Sequence, residues 1–163
     1  MLTQPEIGFF TPSTPAQFDI TRDIFREYAA QLDNDQCFRD FTSELQGLPG
    51  EYTAPQGALI HATADGKLAG CCALRPLPTV DDIDAAEMKR LYVRDAYRRL
   101  GLGRQLADAV LDAARVAGYR CVLLDTLDNM QTARVLYKDP GFQEIPSCYH
   151  NPIAGTHCLK VDL

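Results

Sequence analysis

No run of apolar residues in this 163-residue chain is long enough to cross a bilayer, so no spanning helix is expected. The opening stretch, MLTQPEIGFFTPST, lacks a basic segment followed by an apolar one, so a cleaved leader is not expected either. Both absences lead to an expected cytoplasmic location with no membrane partner. Basic residues are in deficit: 16 Lys and Arg stand against 22 Asp and Glu, a formal net charge of −6. No broad basic stripe exists. The local cluster Arg94, Arg98, Arg99 and Arg104 suits one phosphate-bearing ligand better than a nucleic-acid surface. The acidic balance favours an amine substrate only slightly. The six cysteines include no Cys-x-x-Cys pair. In a reducing compartment, with a core of this size, disulfides are not expected. Cys71, Cys72 and Cys121 fall in strand-like runs and read as small core residues. Cys148, His150, His157 and Cys158 are metal-ligand types, but their spacing matches none of the usual zinc pairs, so no metal is expected. No Ser-His-Asp or Cys-His signature, internal repeat, linker or low-complexity segment is visible. The 46% hydrophobic and 23% charged content is that of an ordinary globular chain, read as one domain over residues 1–163.

What is present centres on Glu87–Gly103, EMKRLYVRDAYRRLGLG. It reads as a strand over Glu87–Arg94, a turn over Asp95–Tyr97, and a glycine-containing loop that opens a helix. In the loop Arg98-Arg99-Leu100-Gly101-Leu102-Gly103, two positions carry no side chain. Successive N–H groups there can face a ligand, and the helix N-terminus adds partial positive charge. With two arginines beside it, the loop suits a pyrophosphate. A dinucleotide fingerprint would want a third glycine at Leu106. A loop that merely caps its helix, with solvated arginines, is the plain alternative.

The rest of the chain supplies the setting. Glu6–Thr11 reads as a strand, and Thr14-Pro15 as the cap and first position of a helix running to about Leu32, with Phe18, Ile24, Phe25, Tyr28 and Ala29 along its stripe. A second helix is expected over about Gln36–Gln46. Gly57–Thr63 and Lys67–Arg75 form a hairpin around Asp65-Gly66. Thr79–Ala86, with three aspartates, reads as an exposed loop. Apolar positions Leu102, Leu106, Ala109, Val110, Ala113 and Ala117 make an amphipathic helix that ends at Gly118. Tyr119–Thr126 is a strand buried on both faces, so strand, helix and strand form a right-handed parallel unit. A helix over about Asn129–Lys138 and strands over Gly141–Ser147 and Thr156–Val161 complete the series.

The loop resembles the phosphate loop of the GNAT family of N-acetyltransferases, Gln/Arg-x-x-Gly-x-Gly/Ala, with Arg98, Gly101 and Gly103 in those places. Met130–Phe142, MQTARVLYKDPGF, is similar to that family's Asn-x-x-Ala-x-x-Leu-Tyr-x-x-x-Gly-Phe at Ala133, Leu136, Tyr137, Gly141 and Phe142. Two departures stand out. Met130 occupies the Asn position, with Asn129 one residue early, and Pro140 precedes Gly141, so the helix should stop near Lys138. The element order also matches over nearly the whole chain, although the specific motifs cover only about residues 87–142. The resemblance implies an α/β (α+β) domain. Its mixed central sheet has about seven strands with helices on both faces, and two parallel strands splay apart where acetyl-CoA enters.

The resemblance also implies roles. Backbone groups of Leu91, Tyr92 and Val93 would hold the pantetheine arm and polarise the acetyl carbonyl. Arg98, Arg99, Leu100, Gly101, Leu102, Gly103 and Arg104 would hold the pyrophosphate, with Asn129, Ala133 and Lys138 also at the cofactor. Tyr137 would protonate the leaving thiolate; a core-packing role on its helix is the alternative. Glu87 would accept the amine proton, directly or through water; an exposed or ion-paired role, with Lys89 or Arg90, is equally open. Period-two alternation puts Glu87, Lys89, Leu91 and Val93 on one face. Tyr28, Tyr149 and His150 are expected at the acceptor pocket. The implied reaction is acetyl transfer from acetyl-CoA to a small primary amine by a monomer or homodimer. A protein or peptide acceptor and a non-catalytic acyl-CoA-binding domain are the two rivals.

Overall fold

Two adjacent strands carry small or apolar side chains on both faces, and this sets the layering. The computed structural model describes residues 3–31, 41–77, 83–127, 141–145 and 156–163. In it, β2 (Ala58–Ala64) and β3 (Lys67–Pro76) form an antiparallel hairpin. Asp65 and Gly66 turn it, with φ of 50° and 79°, the conformation that Asp-Gly hairpin turns adopt. Along β3, Cys71 and Ala73 pack on one side with Ile24, Phe25, Leu45 and Tyr52, whereas Cys72 and Leu74 pack on the other with Leu106, Val110 and Leu111. The sheet therefore needs helices on both faces.

Those helices form for local reasons. In α1 (Pro15–Ala30), Thr14 accepts from the Gln17 N–H while the Gln17 side chain accepts from the Thr14 N–H, a reciprocal cap with proline in the first turn. Thr21, Ile24 and Phe25 are its buried stripe. The short α2 (Phe41–Gln46) adds Leu45 to the same layer. On the opposite face, α3 (Leu102–Ala117) buries Leu102, Leu106, Ala107, Val110, Leu111 and Ala114, and ends at Gly118 with φ of 91°. Burying four such aliphatic side chains is worth roughly 1.5–3 kcal/mol each, so this helix anchors its side of the sheet.

The sheet orders its strands β1-β2-β3-β4-β5-β7-β6, with β1 at Ile7–Phe10, β4 at Ala85–Val93, β5 at Cys121–Leu127, β6 at Gln143–Ile145 and β7 at Thr156–Asp162. Every pairing is antiparallel except β4 with β5. The mixed seven-stranded sheet and the parallel crossover through α3 are as the sequence implied. β4 begins at Ala85, two residues earlier than expected, because buried Ala85 and Ala86 already pair with Cys121 and Val122. Asp84 still precedes the strand, so the aspartate-rich segment ends two residues before the expected Ala86. The helix expected over about Asn129–Lys138 lies outside the described residues, as does residue range 32–40.

Cys71, Cys72 and Cys121 are buried thiols in no disulfide, as core residues should be. Cys158 is disulfide-bonded, which corrects the expectation of no disulfide. Redox poise alone does not determine which thiols the topology brings together.

Candidate active site

β4 is paired on its β3 side along its length but on its β5 side only at Ala85, Ala86 and Glu87, opposite Cys121, Val122 and Leu123. Beyond that point β5 continues against β7, through Leu124 opposite Leu159 to Leu127 opposite Thr156. The two parallel strands thus fork, and the β4 edge from Met88 to Val93 has no β5 partner among the described residues. An extended ligand can hydrogen-bond to such an edge.

Within the fork β4 is bulged. Tyr92 lies opposite Cys71 but Lys89 lies opposite Ala73, so β4 carries one residue more than β3 between them. Arg90 adopts φ of 61° there. The bulge corrects the expected single face. Glu87 lies opposite Arg75, Lys89 opposite Ala73 and Tyr92 opposite Cys71, all on the α1–α2 side, while Leu91 and Val93 pack with the α3-side core. One added residue inverts the alternation downstream of it.

β4 leads through a short 3-10 turn, Asp95–Tyr97, to the loop before α3. Arg99 and Gly101 both take the left-handed conformation, φ 71° and 76°. A Cβ built on Gly101 meets nothing within 4 Å, so the requirement for glycine is conformational and the space above it is open. Gly101 at the start of α3 has no side chain to cap it, and the first bond into the helix runs from the Gln105 N–H to the Gly101 carbonyl at 3.2 Å. The leading N–H groups of Leu102, Gly103 and Arg104 have no intrahelical acceptors and add to the partial positive charge at this end. Arg98 braces the loop. Its Nε donates to the Val93 carbonyl at 3.1 Å and its Nη1 lies 2.9 Å from Asp95. Arg99, Leu100 and Arg104 are exposed around it. Arg94, grouped with them by sequence, instead pairs with Glu27 of α1 at 3.0 Å.

The α1–α2 face of β4 is lined with charge. The Nε of Arg75 lies 2.7 Å from Oε1 of Glu87, which is 3% exposed. Arg75 also reaches Glu51 at 3.4 Å. The expected partners of Glu87 were Lys89 and Arg90; the cross-strand residue takes that role because register, not sequence proximity, sets which side chains meet. Arg90 makes a two-pronged pair with Glu44, at 2.9 and 2.7 Å, and its guanidinium lies 5.4 Å from the centre of the Phe41 ring. Burial pushes the nearby Tyr52 phenol up, with Glu44 adding to the effect. Tyr28 stacks on Tyr92 at 5.3 Å between ring centres. The Tyr92 hydroxyl accepts from Gln31 at 2.8 Å and donates to Glu27 at 3.0 Å. Burial, aided by Glu27, pushes its phenol up to about 12.

Of the expected site residues, Tyr28 stacks on Tyr92, and Glu87, Leu91, Tyr92 and Val93 lie along β4, which leads through Asp95–Tyr97 into the Arg98–Arg104 loop. The expected site residues Asn129, Ala133, Tyr137, Lys138, Tyr149 and His150 lie outside the described residues. Sequence reading did not find Arg75, Glu44 or Glu27, which come from distant segments with no local motif. Among the described residues, no group of three His, Cys, Asp or Glu side chains converges as a metal site, and no helix is long and apolar enough to cross a membrane.

A forked parallel pair beside a helix N-terminus has the geometry to take an extended ligand with an anionic end. The family profile described as the Acetyltransferase (GNAT) family matches residues 18–142. An uncharacterized N-acetyltransferase of Schizosaccharomyces pombe is 30% identical over 164 aligned positions, covering 100% of this chain and 99% of that protein. The PaiA N-acetyltransferase of Thermoplasma acidophilum, solved in complex with coenzyme A, superposes with a TM-score of 0.74 at 16% identity over 97% of this chain and 99% of that one. YncA of Salmonella typhimurium, a putative acetyltransferase solved with acetyl-CoA, gives 0.69 at 14% identity over 96% and 93%. The chain belongs to the Acetyltransferase (GNAT) family.

Proposed function

We propose that the protein transfers the acetyl group of acetyl-CoA to the primary amine of a small molecule by direct attack. The observation that carries this is the fork: β4 and β5 part after Glu87 and Leu123, and the strand edge so freed leads into the uncapped start of α3. Acetyl-CoA supplies an activated thioester on a pantetheine arm that ends in a pyrophosphate. The residues fit both ends. The β4 edge at Leu91–Val93 offers backbone groups to the arm, and the left-handed loop at Arg99–Gly101 with the α3 N-terminus offers N–H groups to the phosphates. The chain's own tasks are to orient the amine, take its proton and return one to the departing sulfur. Glu87 is the acceptor of the proton, through water, because Arg75 already occupies Oε1. Tyr137 is the donor, by the family motif. Tyr28, Tyr149 and His150 are assigned to the acceptor pocket.

The same reading places the enzyme in the cytoplasm as a monomer or homodimer, without nucleic-acid or membrane partners. The formal charge of −6 supports the absence of a nucleic-acid partner. The test is acetyl-CoA turnover against a panel of small amines, amino acids, polyamines and peptides with free N-termini. Amine-dependent release of CoA with small acceptors is expected. Turnover of peptides alone, or binding without release, overturns the small-molecule assignment.

A further inference from the structure

One cation on the α1–α2 face stands apart from the others. Lys89 follows Glu87 by two residues, on the part of β4 that has already left β5. Its position opposite Ala73 puts it on the face it shares with Glu87 and Arg75. Each arginine of that face has its carboxylate: Arg75 has Glu87, Arg90 has Glu44, and Arg94 has Glu27. The Lys89 ammonium has no hydrogen bond or ion pair among the described residues, although it is half-buried. Burial, with Arg90 next, lowers its pKa below the ordinary lysine range, and Glu87 opposes that only in part. The charged groups around it are Glu87 and Arg90 on β4, Arg75 on β3 and Glu44 on α2. The two carboxylates among them are already held by arginine. A half-buried cation without its own anion is costly, and a bound anion would offset that cost.

Building on the acetyltransferase reading, we propose that the acceptor amine also carries a carboxylate and that Lys89 holds it. The spacing fits a small amino acid. Residues two apart on a strand are about 7 Å apart, so Glu87 can take the amine end while Lys89 takes the acid end. A polyamine would instead bring a second cation against Lys89, Arg75 and Arg90. An arginine would not serve as well here, since each is already committed to a carboxylate that a ligand would have to displace.

The test is steady-state acetylation of matched pairs, each α-amino acid against the amine left when its carboxylate is removed, by wild type, Lys89→Met and Lys89→Arg. In wild type at least one amino acid should exceed its decarboxylated partner at least tenfold in kcat/KM. Lys89→Met should raise KM for that amino acid at least tenfold, with kcat changing less than threefold, and should erase the preference over the amine. Lys89→Arg should recover part of it, and unchanged melting temperatures show that the variants fold. With wild type, KM for the amino acid should climb at alkaline pH as Lys89 loses its charge. Turnover of simple amines with no preference for carboxylated ones overturns the inference while leaving the acetyltransferase reading standing. A fall in kcat for both members of a pair in Lys89→Met makes Lys89 a proton acceptor instead and also overturns it. No amine-dependent CoA release with any acceptor overturns both readings.

Discussion

Arg75 and Glu87, twelve residues apart in sequence, face each other across β3 and β4 with 2.7 Å between Nε and Oε1. The pair stands at the last residue of β4 that still touches β5, where the fork opens. It fixes the carboxylate in place, with Oε1 held by Arg75.

Glu87→Gln keeps the shape and a hydrogen-bond acceptor for Arg75 but removes the basic carboxylate. Turnover should fall by roughly 10²–10⁴-fold while acetyl-CoA still raises the melting temperature. A loss under tenfold would show that Glu87 only anchors Arg75 and that solvent takes the proton.

Tyr137→Phe removes a single hydroxyl and keeps the ring. A phenol of ordinary pKa, about 10, is protonated at neutral pH and can supply the thiolate. Turnover should drop at least tenfold with stability and acetyl-CoA affinity nearly unchanged. Retained turnover would assign the ring to packing.

His61 gives the fold a pH dependence of its own. It is fully buried on β2, with Nε2 2.9 Å from the Thr21 hydroxyl, and Nδ1 has no hydrogen-bond partner among the described residues. Thr21 also donates to the Gln17 carbonyl at 3.1 Å, so the shared hydroxyl accepts from Nε2–H and Nδ1 is the bare lone pair. Burial pushes the imidazole down to about 4 from the usual 6.5. Between those values the unfolded chain binds the proton that the folded one refuses, so stability rises with pH. Its contribution is complete above about pH 6.5 and is lost on acidification towards pH 4, about 3 kcal/mol in all. Denaturant unfolding of wild type and His61→Gln across pH 4–8 checks this. Identical pH profiles would rule the histidine out as the source.

Arg90 and Glu44 tie the bulge to α2, with exposures of 6% and 18%. Glu44→Ala leaves a buried guanidinium without its carboxylate and should cost about 3 kcal/mol. The double change Glu44→Leu with Arg90→Leu should recover much of that in urea unfolding. Additive losses would mean the two side chains act independently.

The legible parts of this fold are those with local causes. The Thr14-Pro15 start, the Asp65-Gly66 turn, the three-and-four spacing from Leu102 to Ala117 and the glycine at 101 each dictate a conformation within a few residues. The bulge at Arg90 had no such signal. No glycine marks it, and Arg90 holds φ of 61° where its guanidinium is fastened to Glu44, 46 residues away. For that reason the alternation from Glu87 to Val93 could not be extended through it, and the ionic partners of Glu87, Arg90 and Arg94 could not be read from neighbours in sequence. The phosphate loop was legible as a motif, but not the role of Arg98 as a brace to Val93 and Asp95.

The most direct test of the whole reading is thermal unfolding with and without acetyl-CoA, in wild type and Gly103→Val. A ligand that binds only the folded chain stabilises it by about 2.7 kcal/mol at a hundredfold excess over Kd, a shift of several degrees. Wild type should show that shift at millimolar acetyl-CoA. Gly103→Val should fold in its absence and show none, because a branched side chain would stand where phosphate must approach the α3 N-terminus. An unshifted wild type, or a shift that survives in Gly103→Val, would contradict a site built from the fork and this loop.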